Sequence, residues 1–261
     1  MAEPATGPED IIGDLEAEHR DLERLLIPLD DGQWDRATPA EGWSVRDQIG
    51  HLAYFDDVAV LAMNEAAAFS ALVDAALAGG DPMEEHLRRG REMTGELVLE
   101  WWRTGRAHIL TALRGLPPGA RIPWFGPPMG VLSFVSARLM ETWAHGQDVA
   151  DALGVRRSPT ARLRHVAHLG VSTRSFSYIV HGRDVPDGPV TVRLTGPSGE
   201  QWQWGPGDDA AEAVAGPALD FCLVVTQRRR VADTALVMTG SGAAEWMEIA
   251  QAFAGPPGPG R

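Results

Sequence analysis

Residues 138–154, RLMETWAHGQDVADALG, read as a helix carrying Glu141, His145 and Asp148 at positions i, i+4 and i+7. Residues four apart on a helix share a face, with Cβ atoms about 5–6 Å apart. Glu141 and His145 are thus close enough to chelate one ion, although the same spacing also suits a solvated ion pair. A third ligand has to come from another helix, and GWSVRDQIGHLAYFD (residues 42–56) supplies one. There Ser44 and Asp47 form a capping box that satisfies orphan backbone N–H groups, and Ile49, Leu52, Phe55, Val58 and Val60 follow. His51 falls about two turns into this helix, interrupting an otherwise apolar segment. Helical bundles build metal sites from such facing helices. Two imidazoles, a carboxylate and an open position suit Zn²⁺ as a catalytic ion, and also Ni²⁺, Fe²⁺ or Mn²⁺. Asp148, one turn beyond His145, is placed to accept the outward N–H of an imidazole or to meet substrate.

Outward from these two helices the chain is mostly helical. PEDIIGDLEAEHRDLERLLIPL carries Ile11, Ile12, Leu15, Leu22, Leu25 and Leu26 on one stripe, and ATPAEGW breaks the pattern. After the Gly79-Gly80-Asp81-Pro82 break, an apolar pattern runs from about Met83 to Leu116 as one bent helix or two. The loop GLPPGARIPWFGPPMG then leads into a helix from about Val131 to Leu153. The expected fold is mainly α: an up-and-down four-helix bundle. A further helix, SPTARLRHVAHLGVSTRSFSYIVHG, with Ser158 or Thr160 as its cap, completes a first domain at residues 1–183. The pattern changes near residue 184. VTVRLTG and EQWQWGP alternate with period two around Pro197-Ser198-Gly199, which predicts a β-hairpin. A short helix over GPALDFCLVVTQRR, a strand over TALVMTG and a last amphipathic helix make a small α+β domain at 184–254. A disordered tail is expected at 255–261.

Composition narrows the function classes. A net charge of −13 argues against nucleic-acid or anionic-membrane partners. No apolar run reaches the roughly 20 residues that span a bilayer, and the N-terminus lacks a signal-peptide pattern, so a cytoplasmic protein is expected. All 23 basic residues are arginine. Without lysine there is no Schiff-base catalysis, no pyridoxal phosphate anchor and no Walker-type phosphate loop. Cys222 is the only cysteine, so thiol chemistry must use this residue or an external thiol.

The two motifs around His51 and around Glu141, His145 and Asp148 resemble the DinB-like superfamily, specifically the N-terminal domain of mycothiol-dependent maleylpyruvate isomerases. The resemblance covers about residues 8–155, and more loosely a small sterol-carrier-like C-terminal domain. It implies a divalent metal, zinc first, held by His51, Glu141 and His145, and a low-molecular-weight thiol such as mycothiol as cosubstrate. A metal lowers a thiol's pKa as it does water's, making a nucleophile without a protein cysteine. The thiolate would add to a small electrophile, either reversibly, as in cis-trans isomerisation, or to give an S-transferase product. The resemblance also suggests an acidic substrate, whose carboxylate Arg228 or Arg229 would clamp at an interdomain cleft. The bland alternative for these arginines is a helix C-terminus favoured by its dipole.

Trp124, Phe125 and Met129 in PWFGPPMG are placed to wall a pocket beside the ion, or simply to pack. His165 and His168 form a competing pair without an evident third partner. His19, His86, His108 and His181 have no constellation and default to surface or capping roles. Two further classes stay open: a thiol-independent metal-dependent isomerase, lyase or hydrolase, and a metal- or ligand-binding protein without turnover. A homodimer is one option for assembly.

Overall fold

The computed structural model describes residues 7–78, 82–207, 211–255 and 258. The chain divides into two compact units, Met1–Arg156 and Arg157–Arg261. The first contains helices α1 (Pro8–Leu26), α2 (Asp31–Trp34), α3 (Val45–Asn64), α4 (Ala66–Leu77), α5 (Pro82–Arg91), α6 (Gly95–Arg114) and α7 (Val131–Leu153). A two-stranded antiparallel ribbon, β1 (Arg121–Ile122) with β2 (Met129–Gly130), precedes α7. Local chemistry sets the boundaries. Ser44 and Asp47 cap α3 reciprocally, as expected. The pattern from Met83 to Leu116 is two helices, because Thr94 accepts a hydrogen bond from the Leu97 N–H and starts α6 afresh. The helix predicted over Val131–Leu153 ends at Gly154, whose φ of 68° is left-handed and costs glycine little.

The four long helices form the bundle. Both α1 and α3 pack extensively on α6 and α7, so α1 and α3 face each other across the core. Connections through α4, α5 and the β-ribbon make that order possible. Leu22 and Leu26 of α1, Ile49 and Leu52 of α3, Val98 and Trp102 of α6, and Val149 of α7 fill one buried cluster. Each such aliphatic side chain stabilises the fold by about 1.5–3 kcal/mol. Charge pairs fix helix neighbours: Glu23 of α1 meets Arg103 (2.6 Å) and Arg106 of α6, and Arg138 of α7 meets Asp56 of α3 at 2.8 Å. No helix among the described residues is long and apolar enough to cross a membrane.

His19, expected at the surface from sequence, is buried on α1 with its ring edge-on to Trp102 at 5.6 Å. Burial, and secondarily the charges of Arg106, Arg138 and Arg20, hold its pKa well below the ordinary value of 6.5. The unfolded chain therefore takes up this proton as pH falls below about 6.5 while the native state does not. Stability should decline through that window, with a slope approaching about 1.4 kcal/mol per pH unit from this group. Thermal melts between pH 7 and 5 should show the decline, and a His19→Leu variant should show a shallower one. An unchanged slope in that variant would assign the effect elsewhere.

The second unit is α+β. Strands β3 (Thr191–Thr195) and β4 (Gln201–Trp204) form the predicted hairpin. They join β5 (Ala213–Pro217) and β6 (Val237–Thr239) in a sheet of order β4-β3-β5-β6, with β3 and β5 parallel. Strand β5 has no clear period-two signal in the sequence; it is five residues long and lies next to residues outside those described. The expected single helix after residue 158 is two, α8 (Leu163–Ser172) and α9 (Arg174–Val180). Ser158 and Thr160 do not cap by side chain; α8 begins at Leu163, whose N–H meets the Thr160 carbonyl. The break falls at Thr173, where the hydroxyls of Ser172 and Thr173 bond back to the carbonyls of His168 and Leu169, a habit that bends helices. These helices fall in the second unit, which places the division after Arg156 rather than at residue 183. Leu163, Val166, Ala167 and Gly170 pack α8 on α10 (Ala218–Val225), and α9 packs on α11 (Ser241–Ile249). Most of the tail at 255–261 lies outside the described residues.

Candidate metal centre

His51, Glu141 and His145 come together between α3 and α7, each offering a ligand atom within 4.8 Å of the other two. The rings of His51 and His145 lie 4.5 Å apart. Trp43 stacks on His145 at 5.9 Å and 16° and also touches His51 at 5.2 Å, covering the pair from one side. Bringing all three atoms within about 2.0–2.2 Å of one ion needs only a small inward adjustment of the side chains.

A hydrogen-bond chain fixes which nitrogen of His145 is available. The Thr38 hydroxyl donates to the Trp43 carbonyl at 2.9 Å, so its oxygen accepts from Gln48 Nε2, also at 2.9 Å. Gln48 Oε1 is then the acceptor for His145 Nδ1–H at 2.5 Å. The lone pair of His145 Nε2 consequently faces Glu141 Oε2 at 3.2 Å. A lone pair and a carboxylate oxygen at this distance suit a shared proton or a bound cation. A proton can bridge these two groups, but a divalent ion satisfies all three donors at once. The donor set is chemically complete for such an ion.

Gln48 is the acceptor on the outward nitrogen of His145. Asp148 is itself buried on α7, one turn on. The one sequence signal for Gln48 is its position three residues before His51, on the same face of α3. His86, expected from sequence in a surface or capping role, is instead fully buried on α5, with Nε2 3.3 Å from His51 Nδ1. Replacing Gln48 with Leu removes the acceptor that orients His145 and should weaken divalent-metal binding about 10–100-fold, measured by chelator competition. Unchanged affinity would show that Gln48 does not set the tautomer.

Trp124 and Phe125 reach the centre through Phe55. Its ring is 4.7 Å from His51, 6.3 Å from Trp124 and 6.2 Å from Phe125. Phe69 of α4 stacks on Trp124 at 6.0 Å and 9°. Phe125 is 41% exposed, so the aromatic cluster extends from the histidines to solvent. Met129, half-buried, pairs with Ile122 in the β-ribbon. The remaining expected residues lie in the second unit. Arg228 is buried, with Nη1 on the Thr226 carbonyl at 2.7 Å, and Arg229 Nη1 donates to the Arg228 carbonyl at 2.6 Å. Both form the turn after α10, where Gln227 has a φ of 59°. His168 Nδ1 accepts from Trp204 Nε1 at 3.2 Å. Cys222 is buried, and burial pushes its thiol pKa far up, so it is no nucleophile.

The architecture is a DinB-like helical domain followed by an α+β domain, with a His/Glu/His donor set between two helices of the bundle. The chain belongs to the mycothiol maleylpyruvate isomerase N-terminal domain family, whose family model matches residues 15–150. It is 47% identical over 263 residues to uncharacterized proteins from two strains of Mycobacterium tuberculosis, with 100% of each chain covered. Crystal structures of the mycothiol-dependent maleylpyruvate isomerase share the fold. One has a TM-score of 0.58 at 16% identity, covering 89% of this chain and 92% of that chain. A histidine-to-alanine mutant gives 0.57 at 17%, covering 84% and 88%.

Proposed function

We propose that this protein is a divalent-metal-dependent enzyme that uses a low-molecular-weight thiol, mycothiol by family, to isomerise or conjugate a small electrophile. The observation that carries this reading is the convergence of His51, Glu141 and His145, with the proton of His145 committed to Gln48. Two imidazoles and one carboxylate favour Zn²⁺ and leave coordination positions open. Bound there, the ion supplies the positive charge that brings a thiol's pKa toward neutrality, which the buried Cys222 cannot provide for itself.

The chain's own residues do the rest. Glu141 offsets part of the cationic charge, Gln48 holds His145 in the ligating tautomer, and Trp43 shields both rings from water. Phe55, Trp124 and Phe125 present an aromatic wall to the carbon skeleton of the electrophile. The thiol sulfur adds to a conjugated double bond. It then leaves again after rotation, as an isomerase requires, or stays as the S-conjugate.

Mycothiol titration of zinc-loaded protein tests the thiol step by thermal shift. Stabilisation that grows with the logarithm of mycothiol concentration is expected, about 2.7 kcal/mol at a hundredfold excess over Kd. No shift at millimolar mycothiol would remove the thiol and leave a thiol-independent metal enzyme.

A further inference from the structure

Helix α5 runs along the first half of α3, and three contacts hold the two together. Arg91 Nε donates to Asp47 Oδ1 at 2.8 Å, a carboxylate buried because it also caps α3. One turn on, Gly50 and Gly90 let the backbones approach: a Cβ on Gly50 would lie 3.7 Å from the Gly90 Cα. Beside that contact, His51 Nδ1 meets His86 Nε2 at 3.3 Å. His86 has no exposed surface and is clasped by rings, with Tyr54 stacked on it at 4.8 Å and Phe55 at 5.8 Å. Its position is therefore set by packing, and its nitrogen points at a ligand imidazole.

We infer that His86 is a positioning residue for the metal centre: its Nε2 accepts the Nδ1 proton of His51 and so presents His51 Nε2 to the ion. An imidazole that binds a metal through one nitrogen carries its proton on the other, and the acceptor of that proton fixes ring orientation and raises ligand basicity. Gln48 does this for His145 from within α3, whereas His86 does it for His51 from α5. Each ligand imidazole then has its own acceptor. Metal affinity is thereby coupled to the docking of α5, a short helix outside the four-helix core. The inference rests on the metal-binding reading above and deepens it.

The test replaces the acceptor while keeping the volume. Apo forms of the wild type, His86→Phe and His86→Gln are titrated with Zn²⁺ against a chromophoric chelator, and melting of each apo form reports on folding. His86→Phe should bind Zn²⁺ about 10–100-fold more weakly than the wild type. His86→Gln, whose amide oxygen can accept the same proton as Gln48 does for His145, should keep most of the affinity. Wild-type affinity in the Phe variant overturns the inference, and so does an equal loss in both variants, since shape rather than the acceptor would then be at work. If His86→Phe does not fold, His86→Leu takes its place. Failure of the wild type itself to bind Zn²⁺ would overturn the metal reading instead, a different and distinguishable result.

Discussion

Purified protein carrying His51→Ala and His145→Ala should hold no stoichiometric divalent metal, whereas the wild type loaded with Zn²⁺ and dialysed should hold close to one ion per chain by elemental analysis. The substitutions remove both nitrogen donors and leave Glu141, a single half-buried carboxylate, which competes poorly with water for a borderline-soft ion. The loss should exceed the roughly 10–100-fold expected from removing Gln48 or His86, because those residues act only through the ligands. The fold should survive, since both imidazoles sit beside the packed aliphatic cluster and contribute nothing to it. Circular dichroism should accordingly match the wild type. Equal metal content in the two proteins would sink the assignment of all three ligands.

The largest effect on stability should come from Asp56→Ala. Asp56 on α3 and Arg138 on α7 form an ion pair whose side chains are only 2% and 5% exposed, and Arg138 also reaches the Leu52 carbonyl at 3.4 Å. Burial raises the Asp56 carboxyl pKa above its ordinary value, against the opposing charge and hydrogen bond of Arg138. The pair is thus under desolvation stress and holds because each partner answers the other. Removing the carboxylate strands a guanidinium in the bundle, at a cost of about 3–5 kcal/mol. For a chain of this size the melting temperature should fall by roughly 6–20 °C. Arg138 lies three residues before Glu141, and Asp56 one helical turn beyond Leu52, so the pair also aligns the two ligand-bearing helices. Replacing both residues by apolar ones, Asp56→Leu with Arg138→Met, should recover most of the loss. A single-variant cost below about 1 kcal/mol would mean that water or relaxation satisfies Arg138.

What is local in this chain is legible in the order of its residues. The capping box of Ser44 and Asp47 acts over one turn, and the Glu141/His145 spacing follows from helix geometry alone. The bounds of α7 and the β3–β4 hairpin are equally short-range, set by turn residues and by periodicity. His51 stands out as the third arm because an imidazole interrupts the apolar run of a capped helix.

Whatever depends on distant segments meeting is set by packing. Gln48 and His86 are ordinary in sequence, a glutamine on a helix and a histidine in a charged segment. Each becomes specific only when the fold brings its polar atom to a ligand ring. The same holds for the parallel pairing of β3 with β5 and for the ownership of α8 and α9. An amphipathic stripe states that a helix will bury one face, but not against which neighbour, because the hydrophobic effect is non-directional. Ligand types and their helical spacing are therefore written in the chain itself. Which nitrogen each imidazole presents is written only in the folded molecule, because hydrogen-bond direction is settled by partners that folding supplies.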